Sequence, residues 1–423
     1  MRVLLRQINE GLHDMCYIWW MEMKNTFKDD GMVIFFIVVP LVYPLLYSWI
    51  YTNEVVHEVP VVVVDMSHTQ SSRAFIKKFN SSPDVSIAYH CNNLLEARAL
   101  IGHQEAYGAI YIPSDYEQRL GRGEQAHVSV YCDMALMMTY KAIYQAATSA
   151  SLDLGQQLQA QRSGSYTQRD EEIATAPLHV EPVPIFNATG GYGNSLLPCV
   201  LLLILQQTLL LGIGLSAGTA REHNRYQDLV PISRHYNGIL RIVLGKALCY
   251  FMLYAVTGAY VTLCVPRFFS YTTLISSPTY LLGLMVPFLL SCIFFGMIIS
   301  CLVRYRENIM LLVVFTSVPM LFLVGYSWPL ANVPGYWQGV SWLIPSTFGV
   351  RGYVTLSSMG GTLQDIEPEY QALWIQSLVY FFITCLVYRY QIIRARRHAT
   401  EQMRNIQEKV RQAKEQNNLP QSL

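Results

Sequence analysis

Six stretches of this chain are apolar almost without interruption, and polar and charged positions return between them. They run Met32–Tyr51, Ser195–Ala217, Ile239–Val265, Tyr280–Val303, Ile309–Trp328 and Ala372–Tyr388. A helix takes about 20 residues to cross a hydrocarbon core about 30 Å thick, so each stretch predicts a membrane-spanning helix. Ahead of the first, Leu4, Ile8, Leu12, Met15 and Trp19 recur at helical spacing, with Arg2, Arg6, Glu10 and Asp14 on another face. This predicts an amphipathic helix lying in the membrane interface, with Trp19 and Trp20 at headgroup depth. A short helix packed on a neighbour is the alternative. Acidic residues break this region throughout, so it lacks the continuous apolar core of a cleavable signal peptide.

The segment between the first and second spans changes period. Val59–Asp65, Val85–Tyr89, Gly108–Ile112 and His127–Cys132 read as strands. Helices are predicted near Ser71–Phe79, over Asn92–Gly102 with Asn92 or Asn93 as cap, and over Thr139–Gln161. Strands alternating with helices predict an α/β domain with a mixed or parallel sheet. Ser163–Pro184, with Pro177, Pro182 and Pro184, reads as a tether.

Basic residues set the expected sidedness. Arg221, Arg225 and Arg234 follow the second span, Arg304 and Arg306 separate the fourth from the fifth, and Arg389, Arg394, Arg396 and Arg397 follow the sixth. The opposite connections hold Arg267 and Arg351 near the membrane. The positive-inside rule then places both termini in the cytoplasm and the large insert outside. The expected fold is a polytopic α-helical membrane protein of six transmembrane helices, with an N-terminal interfacial helix and an extracytoplasmic α/β domain between helices 1 and 2. Its expected parts are the interfacial helix 1–30, the first span 31–52, the outer domain 53–193, spans two to six over 194–390, and a charged helical tail 391–423.

Composition narrows the function classes. The chain is 52% hydrophobic and 14% charged, against about 25% charged in soluble domains. A net charge of +1 gives no electrostatic case for nucleic acid. None of the spans carries a carboxylate or histidine near its middle, so no proton or sodium relay is evident. No G-x-x-x-x-G-K-[ST] loop is present to use ATP, and the histidines lack the spacing of a metal or hydrolase motif. The nine cysteines form no C-x-x-C pair. A disulfide between Cys91 and Cys132 of the insert requires an oxidising compartment, and spacing does not decide it. These exclusions point to the membrane part of a machine powered by something else.

Four features could carry its work. The loop 218–236 reads Gly218-Thr-Ala-Arg221-Glu222-His-Asn-Arg225-Tyr-Gln-Asp228-Leu-Val-Pro231, mixed charge ending in Leu-Val-Pro. It suits a surface helix that docks in a groove of a soluble partner, or equally a solvated loop. Gln206 and Gln207 sit mid-span, where an unpaired amide is costly, so they either line a path or join helices. Lys246 lies in the first turns of the third span and is expected to snorkel to the interface. Pro40, Pro44 and Pro287 interrupt the first and fourth spans. The segment 328–350, aromatic but broken by Pro329, Pro334 and Pro345, is expected to re-enter the outer leaflet.

Taken in order, these features resemble a permease subunit of the type-2 ATP-binding-cassette exporters over essentially the whole chain. Arg221-Glu222 with Leu229-Val-Pro231 resembles the family's coupling loop, and Gly245-Lys246 its following G-K. Tyr226 and Gln227 depart from the Thr-hydrophobe-Glu usual there. Gly325…Trp328-Pro329…Pro334, with Pro345-Ser346-Thr347, resembles the outer re-entrant motif, and Val61–Asp65 the outer domain of the bacterial branch described as multidrug exporters. The resemblance implies an inner (plasma) membrane protein that is no enzyme itself and binds no cofactor directly. ATP and magnesium would act through a partner ATPase, and a second copy or a paralogue would complete a dimer. Arg221, Glu222, Arg225, Asp228 and Pro231 would receive the ATPase. Gln206, Gln207, Pro287, Tyr326 and Trp328 become candidates for the substrate path, the cargo being an amphiphilic or hydrophobic drug, lipid or glycan. A periplasmic adaptor and outer-membrane channel are further expected partners, beside membrane lipid. The competing reading is a membrane-anchored ligand-binding or sensor protein, which would need one or two spans rather than six.

Overall fold

The computed structural model describes residues 2–52, 55–163, 186–187, 191–223, 238–271, 273–275, 277–303 and 305–417. It divides into two compact units, one of Met1–Thr52 with Phe186–Leu423 and one of Asn53–Ile185.

The first unit is a helical bundle. Helix α1 covers Arg2–Lys28, and among the described residues six further helices are long and apolar enough to cross a membrane. They are α2 (Asp30–Ile50), α7 (Gly193–Glu222 within the helix Tyr192–His223), α8 (Ile239–Phe268), α9 (Pro278–Leu302), α10 (Arg306–Leu323) and α13, whose segment Glu367–Arg394 belongs to a helix running Glu367–Asn417. Helix α7 is the most enclosed; its Leu202, Leu205, Leu209 and Leu215 are fully buried in the core. Small residues let neighbours approach α7: a Cβ at Gly212 would enter the Phe36 ring, and one at Gly214 would enter Ile309.

Proline shapes two of these helices through a common device. Ile34–Val38 and Tyr260–Cys264 are π-helical turns, each ending two residues before a proline, Pro40 and Pro266. A proline supplies no N–H to the carbonyl four residues back and pushes that carbonyl aside. For Pro266 that carbonyl is Thr262 O, which instead accepts the Tyr353 hydroxyl at 3.3 Å. A group orphaned by one helix is thus satisfied by another.

Between α10 and α13 the chain breaks into a 3-10 turn Leu330–Asn332, a short helix α11 (Gly335–Ser341) and a longer one α12 (Pro345–Ser358). Its loose backbone groups are claimed by side chains. Gln338 Nε2 donates to Leu330 O (2.9 Å) and Val333 O (2.8 Å), and Thr347 Oγ1 to Ser341 O (2.8 Å). From α13, Gln376 Nε2 donates to Trp342 O and Tyr380 OH to Leu343 O, both at 2.6 Å. Helix α12 packs against α7, α9 and α13, with Gly349 pressed to the Phe288 ring. Irregular backbone held this way meets the condition for lying among transmembrane helices.

The second unit is a four-stranded sheet in the order β2-β1-β3-β4. Strands β1 (Val59–Asp65), β2 (Val85–His90) and β3 (Gly108–Ile112) are parallel, and β4 (Ser129–Cys132) is antiparallel to β3. Strand β1 alternates its apolar side chains: Val59, Val61 and Val63 face Phe75, Phe79 and Ile143, while Val62 and Val64 face Ala97 and Ala109. Helices α3 (Gln70–Asn80) and α6 (Met137–Ser163) cover the first face, and α4 (Leu94–Gly102), capped by Asn93, covers the second. A further helix α5 (Tyr116–Arg122) follows β3; at seven residues it is too short to show a clear apolar period in the sequence. Cys91 and Cys132 are both free thiols packed in the clusters on opposite faces of the sheet, so the disulfide considered from sequence does not form. Burial pushes the Cys132 thiol up to about 11.

Candidate functional site

Polar contacts gather at the end of the bundle where α1 meets the spans, and α1 itself builds them. Its packed stripe is Ile18, Glu22 and Thr26, all buried, whereas Leu12 and Trp20 are exposed. The apolar period in the sequence stops at Trp19 because Glu22 and Thr26, which continue that side of the helix, are polar. Gly245 explains how α1 comes so close to α8: a Cβ there would stand 3.0 Å from the Ile18 side chain and from Met15 O. Gly245→Val is therefore expected to lower the thermal stability of the purified protein by about 1–3 kcal/mol through overpacking. An unchanged melting profile would argue that α1 does not pack on α8.

One turn of contact further on, Glu22 and Lys246 form a buried ion pair, their residues 5% and 4% exposed. Lys246 Nζ lies 2.9 Å from Glu22 Oε2 and 3.1 Å from Oε1. Oε1 also accepts Ser216 Oγ at 2.6 Å and Tyr250 OH at 2.5 Å. A single carboxylate thereby joins α1 to α7 and α8. Burial works against its charge, but the Lys246 ammonium and the donors from Ser216, Tyr250 and Lys246 outweigh it and hold Glu22 below the usual carboxylate range. The linkage sign follows from a depressed pKa: the stabilisation is complete above the ordinary glutamate value of about 4.3 and is lost as pH falls through the folded value. Lys246 does not snorkel as expected, because its partner lies beside it in the core, 224 residues away in sequence.

Asp29 makes a second junction. Its Oδ1 caps α2 through Gly31 N (2.9 Å) and Met32 N (3.3 Å) and accepts Arg306 Nη2 at 2.7 Å. Its Oδ2 accepts Thr219 Oγ1 at 3.0 Å. The start of α2 is thus tied to α7 and α10. Desolvation opposes the charge of Asp29, and the Arg306 and Thr219 hydrogen bonds overcome it, so its pKa is lowered. A third contact joins Arg241 Nη1 on α8 to Asp14 Oδ2 at 2.5 Å.

Arg221 is buried rather than presented outward. Its guanidinium donates to Val303 O and, at 3.2 Å, to Cys301 O, capping α9 together with Gln391 Nε2, which also reaches Cys301 O at 3.2 Å. Glu222 next to it is exposed. The two residues do not form a matched surface pair: Arg221 fastens α7 to the end of α9, and Glu222 is exposed. Arg225, Asp228 and Pro231 lie outside the described residues. They continue the chain just past these contacts.

Of the residues considered for a substrate path, Gln206 and Gln207 share a neighbour, Met320. Gln206 Oε1 accepts Ser346 N at 2.7 Å, at the start of α12, and Cys292 Sγ at 3.6 Å. Gln206 and Gln207 both reach Met320 Sδ, at 3.5 and 3.0 Å. Gln206 therefore joins α7 to α9, α10 and α12. Gln207 Oε1 is buried with no hydrogen-bond partner among the described residues. Pro287 is packed in the core of α9, Tyr326 is half-buried, and Trp328 is 54% exposed. Among the described residues no group of three or more histidine, cysteine or carboxylate side chains could hold a metal ion.

Sequence reasoning missed Glu22, Asp29 and Ser216. The signal available was a carboxylate inside an otherwise apolar helical face, together with the Gly-Lys step that receives it.

A comparison with curated proteins gave no significant match. The family model described as "ABC-2 family transporter protein" matches residues 31–386, a stretch that takes in all six candidate spans up to the middle of α13 together with the inserted α/β unit. With its six apolar helices and the polar junctions that bind them at one end, this chain belongs to the ABC-2 family: it is a membrane permease component of an ABC transporter, a family whose members work with an ABC ATPase and are not themselves enzymes.

Proposed function

We propose that the chain is the permease subunit of an ATP-driven exporter that moves an amphiphilic or hydrophobic molecule out of the cytoplasm or the inner leaflet. It pairs with a second copy or a paralogue and is powered by a separate ATPase beneath it. In this reading both termini and the 218–236 loop are cytoplasmic, the α/β unit is outside, and the segment 328–350 dips into the outer leaflet.

The observation that carries the reading is the joining of α1 and the α1–α2 junction to three spans by buried and partly buried polar contacts. Glu22 ties α1 to α7 and α8, and Asp29 ties the α1–α2 junction to α7 and α10. Thr219 and Arg221 stand in the last turns of α7, shortly before residues 224–237 in sequence. A push on that loop or on α1 therefore reaches several spans together rather than one helix alone. Arginines crowd the same ends: Arg221, Arg241 and Arg306 take part directly. That distribution supports the cytoplasmic placement.

Inside-out vesicles containing the chain and its native cytosol test this reading with a panel of fluorescent amphiphiles. ATP-dependent dye accumulation that persists with a protonophore is the expected outcome. Accumulation that needs a proton gradient and no ATP would contradict it.

A further inference from the structure

The α/β unit carries a cleft that the transport reading leaves unused. It has a volume of about 470 Å³ and opens where β1 and β2 end. Ligands of open α/β sheets bind in crevices outside the carboxyl ends of the strands. Asp65, His68, Arg73, Lys77, His90 and Asn92 supply the polar part of its lining.

The charge balance in this cleft is one-sided. Arg73 and Lys77 stand one turn apart on α3, and among the described residues neither has an ion-pair partner. The adjacent Lys78 is paired with Asp153 at 3.0 Å and does not line the cleft. The one carboxylate of the lining is already committed to its own loop. Asp65 Oδ1 accepts Ser67 N (2.9 Å) and His68 N (3.1 Å), and its Oδ2 accepts Ser72 Oγ (2.7 Å). Asn80 lines the cleft too, and its Oδ1 accepts Ile87 N at 3.0 Å, which leaves its amide N–H groups as the remaining capacity. The site is thus rich in donors and cations, with the Asp65 carboxylate and the Asn80 carbonyl oxygen already engaged.

The backbone is also shaped there. Pairing of β1 with β2 slips by one residue between Val61 and Val62, so that Val61 faces Ile87 but Val62 faces Tyr89. Such a bulge re-aims the residues after it, and here those are Tyr89 and His90, of which His90 lines the cleft. His68, across the cleft, has a left-handed backbone with φ 52°, a conformation that costs free energy outside glycine and persists where surroundings hold it.

We propose that this cleft binds a small anion bearing a phosphate or carboxylate group, held by Arg73 and Lys77 with His68, His90 and the Asn80 amide as hydrogen-bond donors. Concave cationic surfaces of this kind concentrate anions from solution, and a guanidinium matches the planar or tetrahedral oxygens of such a group. The proposal stands on the α/β unit alone and does not depend on how the spans work.

The test uses the full chain in detergent, titrated with inorganic phosphate by calorimetry. One saturable site per chain is expected, with affinity at least about tenfold weaker in the Arg73→Ala/Lys77→Ala double variant. Lys78→Ala, outside the cleft, is expected to leave it within about twofold. Matching thermal melts establish that both variants are folded. Absence of saturable heat up to about 10 mM phosphate, or unchanged affinity in the double variant, would overturn the proposal. Repeating the titration in nanodiscs distinguishes the source of the anion. Weaker phosphate binding in phosphatidylglycerol discs than in phosphatidylcholine discs assigns the site to a lipid headgroup, and equal binding assigns it to a soluble anion.

Discussion

Lys246→Met is expected to be among the most damaging single substitutions in this chain, with a loss of about 3–5 kcal/mol. The methionine fills nearly the same volume, so packing is preserved. What is lost is the cation beside Glu22, which leaves a buried carboxylate with only the Ser216 and Tyr250 hydroxyls for support. Glu22→Gln leaves Lys246 unpaired in the same place and is expected to do comparable harm. The double variant Glu22→Leu/Lys246→Met removes both charges and is expected to recover much of the stability, because the desolvation cost disappears with the pair. Heating the detergent-solubilised variants and measuring the fraction that still elutes as a single species decides the matter. A lysine that snorkelled to the interface would make Lys246→Met nearly neutral and the double variant no better than the single.

The second large effect is expected at Gln206. Its side-chain oxygen accepts the backbone N–H of Ser346, in the first turn of α12, where no intrahelical acceptor exists. Gln206→Leu removes that acceptor and strands the N–H in a buried site, at a cost of about 1–3 kcal/mol. It also cuts the polar connection from α7 to α12. The expected phenotype is a less stable protein whose export falls evenly across chemically different dyes. A residue that lined the substrate path would instead change the preference among dyes while leaving the melting temperature alone. That result would return Gln206 to the path.

The contrast between Gln206 and Lys246 marks where the sequence ceases to inform. Six spans, the strands of the α/β unit and the breaks around Pro329, Pro334 and Pro345 are all written in local periodicity, and the structure forms an element at or beside each of them. A polar side chain inside a span declares only that it needs a partner. Which partner it finds depends on tertiary placement: Met320 and Ser346 for Gln206, 114 and 140 residues away, and Glu22 for Lys246. Helix α1 shows the same limit. Its apolar period runs through Leu4, Ile8, Leu12, Met15 and Trp19, and nothing local announces that Glu22, further along that side, enters the core to meet Lys246. Arg221 illustrates a third limit. In sequence it is a loop arginine beside a glutamate. In the fold it reaches back to cap the last carbonyls of α9, and Glu222 alone remains exposed.

The gathering of these contacts at one end of the bundle gives the account its mechanical content. A partner that pressed on α1 and the loop after α7 would move a set of helices already fastened together. The partner itself is the claim most open to direct test. The chain should be purified gently from its native membrane, the proteins that accompany it identified, and ATP hydrolysis measured on the eluate. A soluble Walker-motif ATPase in about equal amount is expected, with hydrolysis of ATP by the complex. A chain that came out alone, and supported no hydrolysis after mixing with the cytosolic ATPases of the same cell, would contradict it.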